Sequence, residues 1–246
     1  MSNFQPRYPN SAGRLLSILE NIKGGQSFVV QLGPLFFNEI PRDDIAQKTL
    51  LGIKAMNQLH LIYVSFVEDL DEADIPQEEK SVLLKGLESL NSLMYASSMD
   101  QAMRIPTEAE KALLEVCATR LPKENNLEAE DLELISKSIF DLKALVGELT
   151  SNSILKTVLL ELIRLSEDSI NRFNIYGAKG LKSAFKNMLA EVAGIYLQDQ
   201  EDVAEIKNTT AWGKVTDHLK TFDKVASSVV KYKPLLEKAS GFMLGS

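Results

Sequence analysis

The sequence predicts an all-α fold, a multi-helix bundle of long amphipathic helices around a central antiparallel αα-hairpin. Three observations carry that prediction. Apolar residues recur three or four positions apart over most of the chain, which places them on one face of a helix. Alternation at every second residue, the mark of a half-buried strand, is nearly absent. The third observation is the stretch from Ser153 to Tyr196, where two such arms flank a glycine turn. Its first arm carries Leu155, Val158, Leu159, Leu162, Leu165, Ile170 and Phe173; its second carries Leu181, Ala184, Phe185, Met188, Leu189, Val192 and Tyr196. Each arm spans about 20 residues, or roughly 30 Å of helix. The turn between them, Tyr176-Gly177-Ala178-Lys179-Gly180, is short enough to fold the arms back on each other. Leu162 and Leu189 are then expected to be fully buried, with the other helices packed around the pair.

Taken in order, the chain opens on an arm, Met1 to Asn10, that has two prolines and no periodicity. Ser11 is placed to cap a short helix carrying Leu15, Leu16, Ile18, Leu19 and Ile22, which stops at Gly24-Gly25. Phe28 to Phe37 begins like a strand, but a lone strand has no partner here, and a buried irregular segment or short helix is expected. From Asp43 to Leu70 the stripe is Ile45, Thr49, Ile53, Met56, Leu59, Tyr63, Phe66 and Leu70, with Asp43 and Asp44 at the positive end of the helix dipole. Glu68 to Pro76 reads as an acidic connection, followed by a helix with Val82, Leu83, Leu87, Leu90 and Met94. Thr107-Glu-Ala-Glu110 is a capping box ahead of Leu113, Leu114 and Cys117.

Leu121 to Asp131 is the most linker-like stretch, so the chain is either one continuous domain or divides there into N-terminal (1–122) and C-terminal (123–246) helical regions. Beyond it Leu132, Ile135, Ile139, Leu142, Leu145 or Val146, and Leu149 continue the helical spacing. After the hairpin, helix is expected to run on to about Lys207. The last long helix holds Trp212, Val215, Leu219, Phe222, Ala226 and Val229 in a near-heptad spacing. Pro234 breaks it before the short tail Leu235 to Leu244.

Composition narrows the function classes. A net charge of −7 over 246 residues is the wrong sign for general binding to a phosphate backbone. The single cysteine, Cys117, permits no internal disulfide and fits a reducing compartment. The N-terminus lacks the apolar core of a signal peptide, and no run approaches the roughly 18 apolar residues of a membrane span. A cytoplasmic protein is the expectation.

Candidate chemistry is sparse. His60 and His218 stand in no Glu-x-x-His pair, because Asn57 and Val215 occupy the needed positions, and both read as helix-packed residues. Counting a calcium loop from Asp69 puts Ala73 where an oxygen ligand is needed and Asp74 where a glycine is needed. In Gly177-Ala-Lys-Gly180 the lysine precedes the glycine and a helix precedes the turn, so a helix-ending glycine explains it better than a phosphate loop. Cys117 sits among apolar neighbours, as a core residue does. Glu161, Arg164, Asp168 and Arg172 form a polar face on which Arg164 and Asp168 can pair. No catalytic residue, metal or cofactor is expected.

The last helix is the functional lead. Lys214, Lys220, Lys224, Lys231, Lys233 and Lys238 make it basic within an acidic chain. Trp212, Val215, Leu219 and Phe222 with Lys220, Lys224 and Lys231 are the candidate interaction residues. The expectation is a helical interaction or assembly subunit that binds a protein partner or itself. One alternative is an effector docking this helix on an anionic membrane; another is an enzyme or receptor with an interhelical site.

Overall fold

The computed structural model describes residues 6–24, 28–37, 44–94, 104–149, 154–195 and 210–229. Helix makes up 84% of the described residues, far above the usual third, and no strand occurs among them. The chain is all-α. Its contacts divide into two compact units, Met1–Lys123 with Asn174–Tyr176, and Glu124–Phe173 with Gly177–Ser246. Each has a hydrophobic core of its own.

In the first unit, α1 (Ser11–Glu20) is buried from Ser11 through Leu19. Ala12, Gly13 and Ser17 keep its secondary faces small, which lets neighbouring helices close on them. A Cβ at position 13 would lie 2.3 Å from the Tyr8 carbonyl oxygen, so that contact requires glycine. α2 (Phe28–Phe36) turns the ambiguous apolar segment into helix, burying Leu32 and Phe36. α3 (Ile45–Glu72) starts at Asp44, whose carboxylate accepts the Gln47 N–H at 2.9 Å. Its inner face, Ala55, Leu59, Ile62, Phe66 and Leu70, packs toward α1 and α2. Two corrections follow. Ile53, expected in the stripe, is 42% exposed, because α3 has apolar residues on more than one face and spacing alone does not choose the inner one. Ile45, also expected there and on the line of Gly52 and Leu59, is 81% exposed as the first residue of the helix, ahead of its buried part. And helix continues through Glu72, so the first acidic residues form its last turn rather than a loop. α4 (Gln77–Gly86), a 3₁₀ turn (Glu88–Leu90), α5 (Asn91–Met94) and α6 (Glu108–Arg120) complete the unit, with Ile175 in its core.

Two polar clamps hold this unit. The α1 cap is Asn10, not Ser11: its Oδ1 accepts the Gly13 N–H at 2.9 Å. The same side chain donates from Nδ2 to the Ala118 and Leu121 carbonyls, at 2.8 and 3.3 Å. A buried asparagine thus serves the start of α1 and the end of α6 together, which serine is too short to do. The capping box at α6 forms as expected, with Thr107 Oγ1 accepting the Glu110 N–H and Glu110 accepting the Thr107 N–H at 2.7 Å. Glu110 also receives Arg104 through both terminal nitrogens, at 2.9 and 2.8 Å, and a hydrogen bond from Ser89 Oγ.

The second unit holds α7 (Ala129–Glu148), α8 (Ile154–Asn171), α9 (Phe173–Ile195) and α10 (Thr210–Val229). α7 packs on α8 and on α10. Ser166 of α8 meets Met188 of α9, residues equally far along the chain from Gly177, the contact two arms folded about that glycine would make. The break between the arms is narrower than the turn expected over Tyr176–Gly180. α8 stops at Asn171, and within α9 only Gly177 leaves helical geometry, at φ 58°. Such a φ suits glycine and few other residues. The Ala178 N–H just after it donates to Glu124 at 2.7 Å, so the linker supplies a carboxylate where the helix resumes. Leu162 is fully buried as expected; Leu189 is only half-buried, because Met188 takes the innermost place. The expected continuation to Lys207 and the tail beyond Pro234 lie outside the described residues.

Candidate functional site

α10 places its predicted residues in two groups. Val215, Leu219 and Phe222 are 0%, 5% and 0% exposed, and Trp212 is half-buried. Phe222 stacks on Phe185 with ring centroids 6.3 Å apart and planes 8° from parallel. Val215, Leu219 and Phe222 are therefore core residues of the second unit, and Trp212 packs half-buried against that core. The stripe is apolar enough to be needed inside, and a helix cannot present one face twice. Lys220 and Lys224 are exposed, while Lys214 pairs with Asp141 of α7 at 3.3 Å. Lys231, Lys233 and Lys238 lie outside the described residues.

The structure also joins residues that sequence spacing kept apart. His218, 1% exposed, lies between two hydroxyls: Ser138 Oγ is 2.6 Å from Nδ1 and Ser166 Oγ is 2.8 Å from Nε2. Ser166 Oγ also reaches the Leu162 carbonyl at 2.7 Å. A hydroxyl has one proton. Ser138 Oγ likewise lies 3.2 Å from the Ile135 carbonyl. One serine therefore donates to its own helix carbonyl and accepts the ring N–H while the other donates to the bare ring nitrogen, and either tautomer satisfies the ring. The order Ser138–His218–Ser166 imitates a nucleophile, base and orienting group. Ser138, however, sits mid-helix in α7, where nearby N–H groups are committed to the helix ladder and none is free to hold an oxyanion. This is a satisfied polar seam through the core.

Burial pushes the His218 imidazole from 6.5 down to about 4. The folded chain therefore takes up this proton less readily than the unfolded chain. Stability is complete above the ordinary histidine range and falls as pH drops through it toward 4. Unfolding in urea, followed by Trp212 fluorescence, should show about 2–3 kcal/mol less stability at about pH 4.5 than at 7.5 from this group. H218Q should lose that component of the pH dependence; an unchanged profile would refute the assignment.

Elsewhere the candidate chemistry is ordinary. Burial raises the Cys117 thiol to about 11, so it stays protonated. Arg164 holds Glu161 at 2.8 Å and Asp168 at 3.3 Å, and Arg172 reaches Asp168 at 3.8 Å, all on an exposed helix face. His60 is half-buried. Among the described residues no three His, Cys, Asp or Glu side chains gather as a metal site would require.

The surface with most to explain is the outer face of α3. Leu50, Ile53 and Leu61 are 50%, 42% and 59% exposed on this face. Among the described residues α3 alone is long and apolar enough to cross a bilayer by length and composition. Its buried inner face accounts for part of that apolarity. The outer face is left over.

No protein-family model, no curated protein and no solved structure matches the chain. The functional reading rests on its own side chains. Sequence periodicity had missed Leu50 and Leu61; the available signal was that Ile45–Glu72 is apolar beyond the needs of one buried stripe.

Proposed function

We propose that the chain acts by binding, as a helical interaction or assembly subunit, and that the outer face of α3 is its contact surface. The observation that carries this is the row of large apolar side chains left exposed on a helix whose opposite face already fills a core. Docking on an anionic membrane through α10 has less support, because lipid would have to compete with the core for Val215, Leu219 and Phe222. The test is L61K. Leu61 is 59% exposed, so the variant should keep its helicity and change stability by no more than about 0.5 kcal/mol. It should nevertheless lose the association of the wild-type chain, measured by sedimentation and by recovery of partners from cells that express it. A variant that associates as the wild type does refutes the reading.

A further inference from the structure

Residues 124–128, ahead of α7, run without helix and are fastened to the second unit at three points. We infer that they form a strap, which opens and closes as a single piece while the helices of that unit stay packed. The inference is independent of α3. Glu124 accepts the Ala178 N–H at 2.7 Å, where helix resumes after Gly177. Asn125 Nδ2 donates to the Ser228 carbonyl at 3.1 Å, in the last turn of α10. Leu127 lies half-buried against the second core.

The two polar anchors have the chemistry their sites need. The first N–H groups of a helix have no carbonyl a turn earlier to bond, and its last carbonyls have no donor a turn later. A carboxylate suits the positive start of a helix, and an N–H donor suits its negative end. Two adjacent residues, an acid and an amide, are thus set on opposite kinds of helix end. Exchanging them would press a carboxylate against a carbonyl. Ser228 Oγ also donates to Asp131 Oδ2 at 3.3 Å, which ties the end of α10 to the first turn of α7, into which the strap leads.

Separate opening follows from how little holds the strap. Both of these bonds come from side chains, and Asn125 is exposed, so water competes for its bond. Leu127 is the one apolar residue in the stretch. Contacts of this kind lie at the low-stability end of a fold. α7 and α10, by contrast, bury Ile135, Leu142, Val215 and Phe222 and part only when the core is undone. The anchors fall within four consecutive residues, so release of one gives slack to the others. Opening uncovers the Ala178 N–H, the Ser228 carbonyl and the core beneath Leu127 together.

Amide hydrogen exchange on the full chain, in graded urea below the unfolding transition, tests this. The wild-type Ala178 amide should exchange faster than those of Leu162 and Val215, through an opening nearly insensitive to urea because it exposes little surface. N125A should speed exchange at Ala178 roughly fivefold, although Asn125 does not bond that residue. The double variant E124N/N125E, of unchanged composition, should speed it at least as much. Trp212 fluorescence should show the urea midpoint of each variant close to the wild type. Wild-type exchange at Ala178 that matches Leu162 in rate and urea dependence means that the strap opens only with the whole unit, and overturns the proposal whether or not the variants fold. An N125A chain with unchanged exchange at Ala178 shows two independent caps instead, and the proposal falls. It falls equally if E124N/N125E protects Ala178 as well as the wild type does.

Discussion

Phe222→Ala should destabilise the second unit by roughly 3–5 kcal/mol, the range for removing a buried aromatic ring. Phe222 is fully buried, stacked on Phe185, and lies 6.2 Å from the His218 ring between centroids. Its loss would open a void that helix-borne neighbours can fill only by moving backbone, and it would loosen the wall that keeps His218 dry. Trp212 is the only tryptophan and lies on the same helix, so its fluorescence reports on the unit that contains the change. Lys220→Ala, on the exposed side of α10, is the matched control and should stay within about 0.5 kcal/mol of wild type. A Phe222→Ala loss below about 1 kcal/mol would mean that α10 is not packed as described.

Glu110→Gln should cost the first unit roughly 3 kcal/mol at neutral pH. The carboxyl is 3% exposed and surrounded by donors. Arg104 contributes most, followed by Ser89 and Thr107, and together they outweigh desolvation and hold the group from 4.5 down to about 2. The folded form thus keeps its negative charge at pH values where the unfolded form is protonated. The stabilisation is fully present above 4.5 and is lost as pH falls toward 2. Glutamine keeps the shape and an accepting oxygen but removes the charge that Arg104 bonds. Thermal unfolding followed by circular dichroism should show the gap between wild type and variant closing between about pH 5 and 2. A gap independent of pH would assign the effect to packing instead.

This clamp marks how far local sequence reaches. Thr107 and Glu110 are three residues apart, and a capping box depends only on that spacing, so it could be read directly. Arg104 and Ser89 approach the same carboxylate from the preceding loop and a separate turn; no spacing rule links them. Asn10 is a similar case. It displaced Ser11 as the cap because it must also reach the Ala118 and Leu121 carbonyls, far along the chain.

The functional residues divide in the same way. The stripe Trp212, Val215, Leu219 and Phe222 was legible as apolar, yet whether it faced a core or a partner was not, since burial removes the same surface from water in either case. His218 could be read as helix-packed, but its two serine partners lie on α7 and α8 and carry no mark of the pairing. On α3 the periodicity identified a long helix while its apolar excess concealed which side was inward. What the sequence by itself determined was the all-α class, most helix positions, the α6 start and the glycine between the arms. These depend on interactions within a few residues of each other, where spacing is geometry. Tertiary structure alone decided which face of each helix is buried, which distant donors serve Glu110 and His218, and that Leu50, Ile53 and Leu61 remain outside. Such outcomes depend on which helices compete for the same core volume, and close packing admits only one face of each.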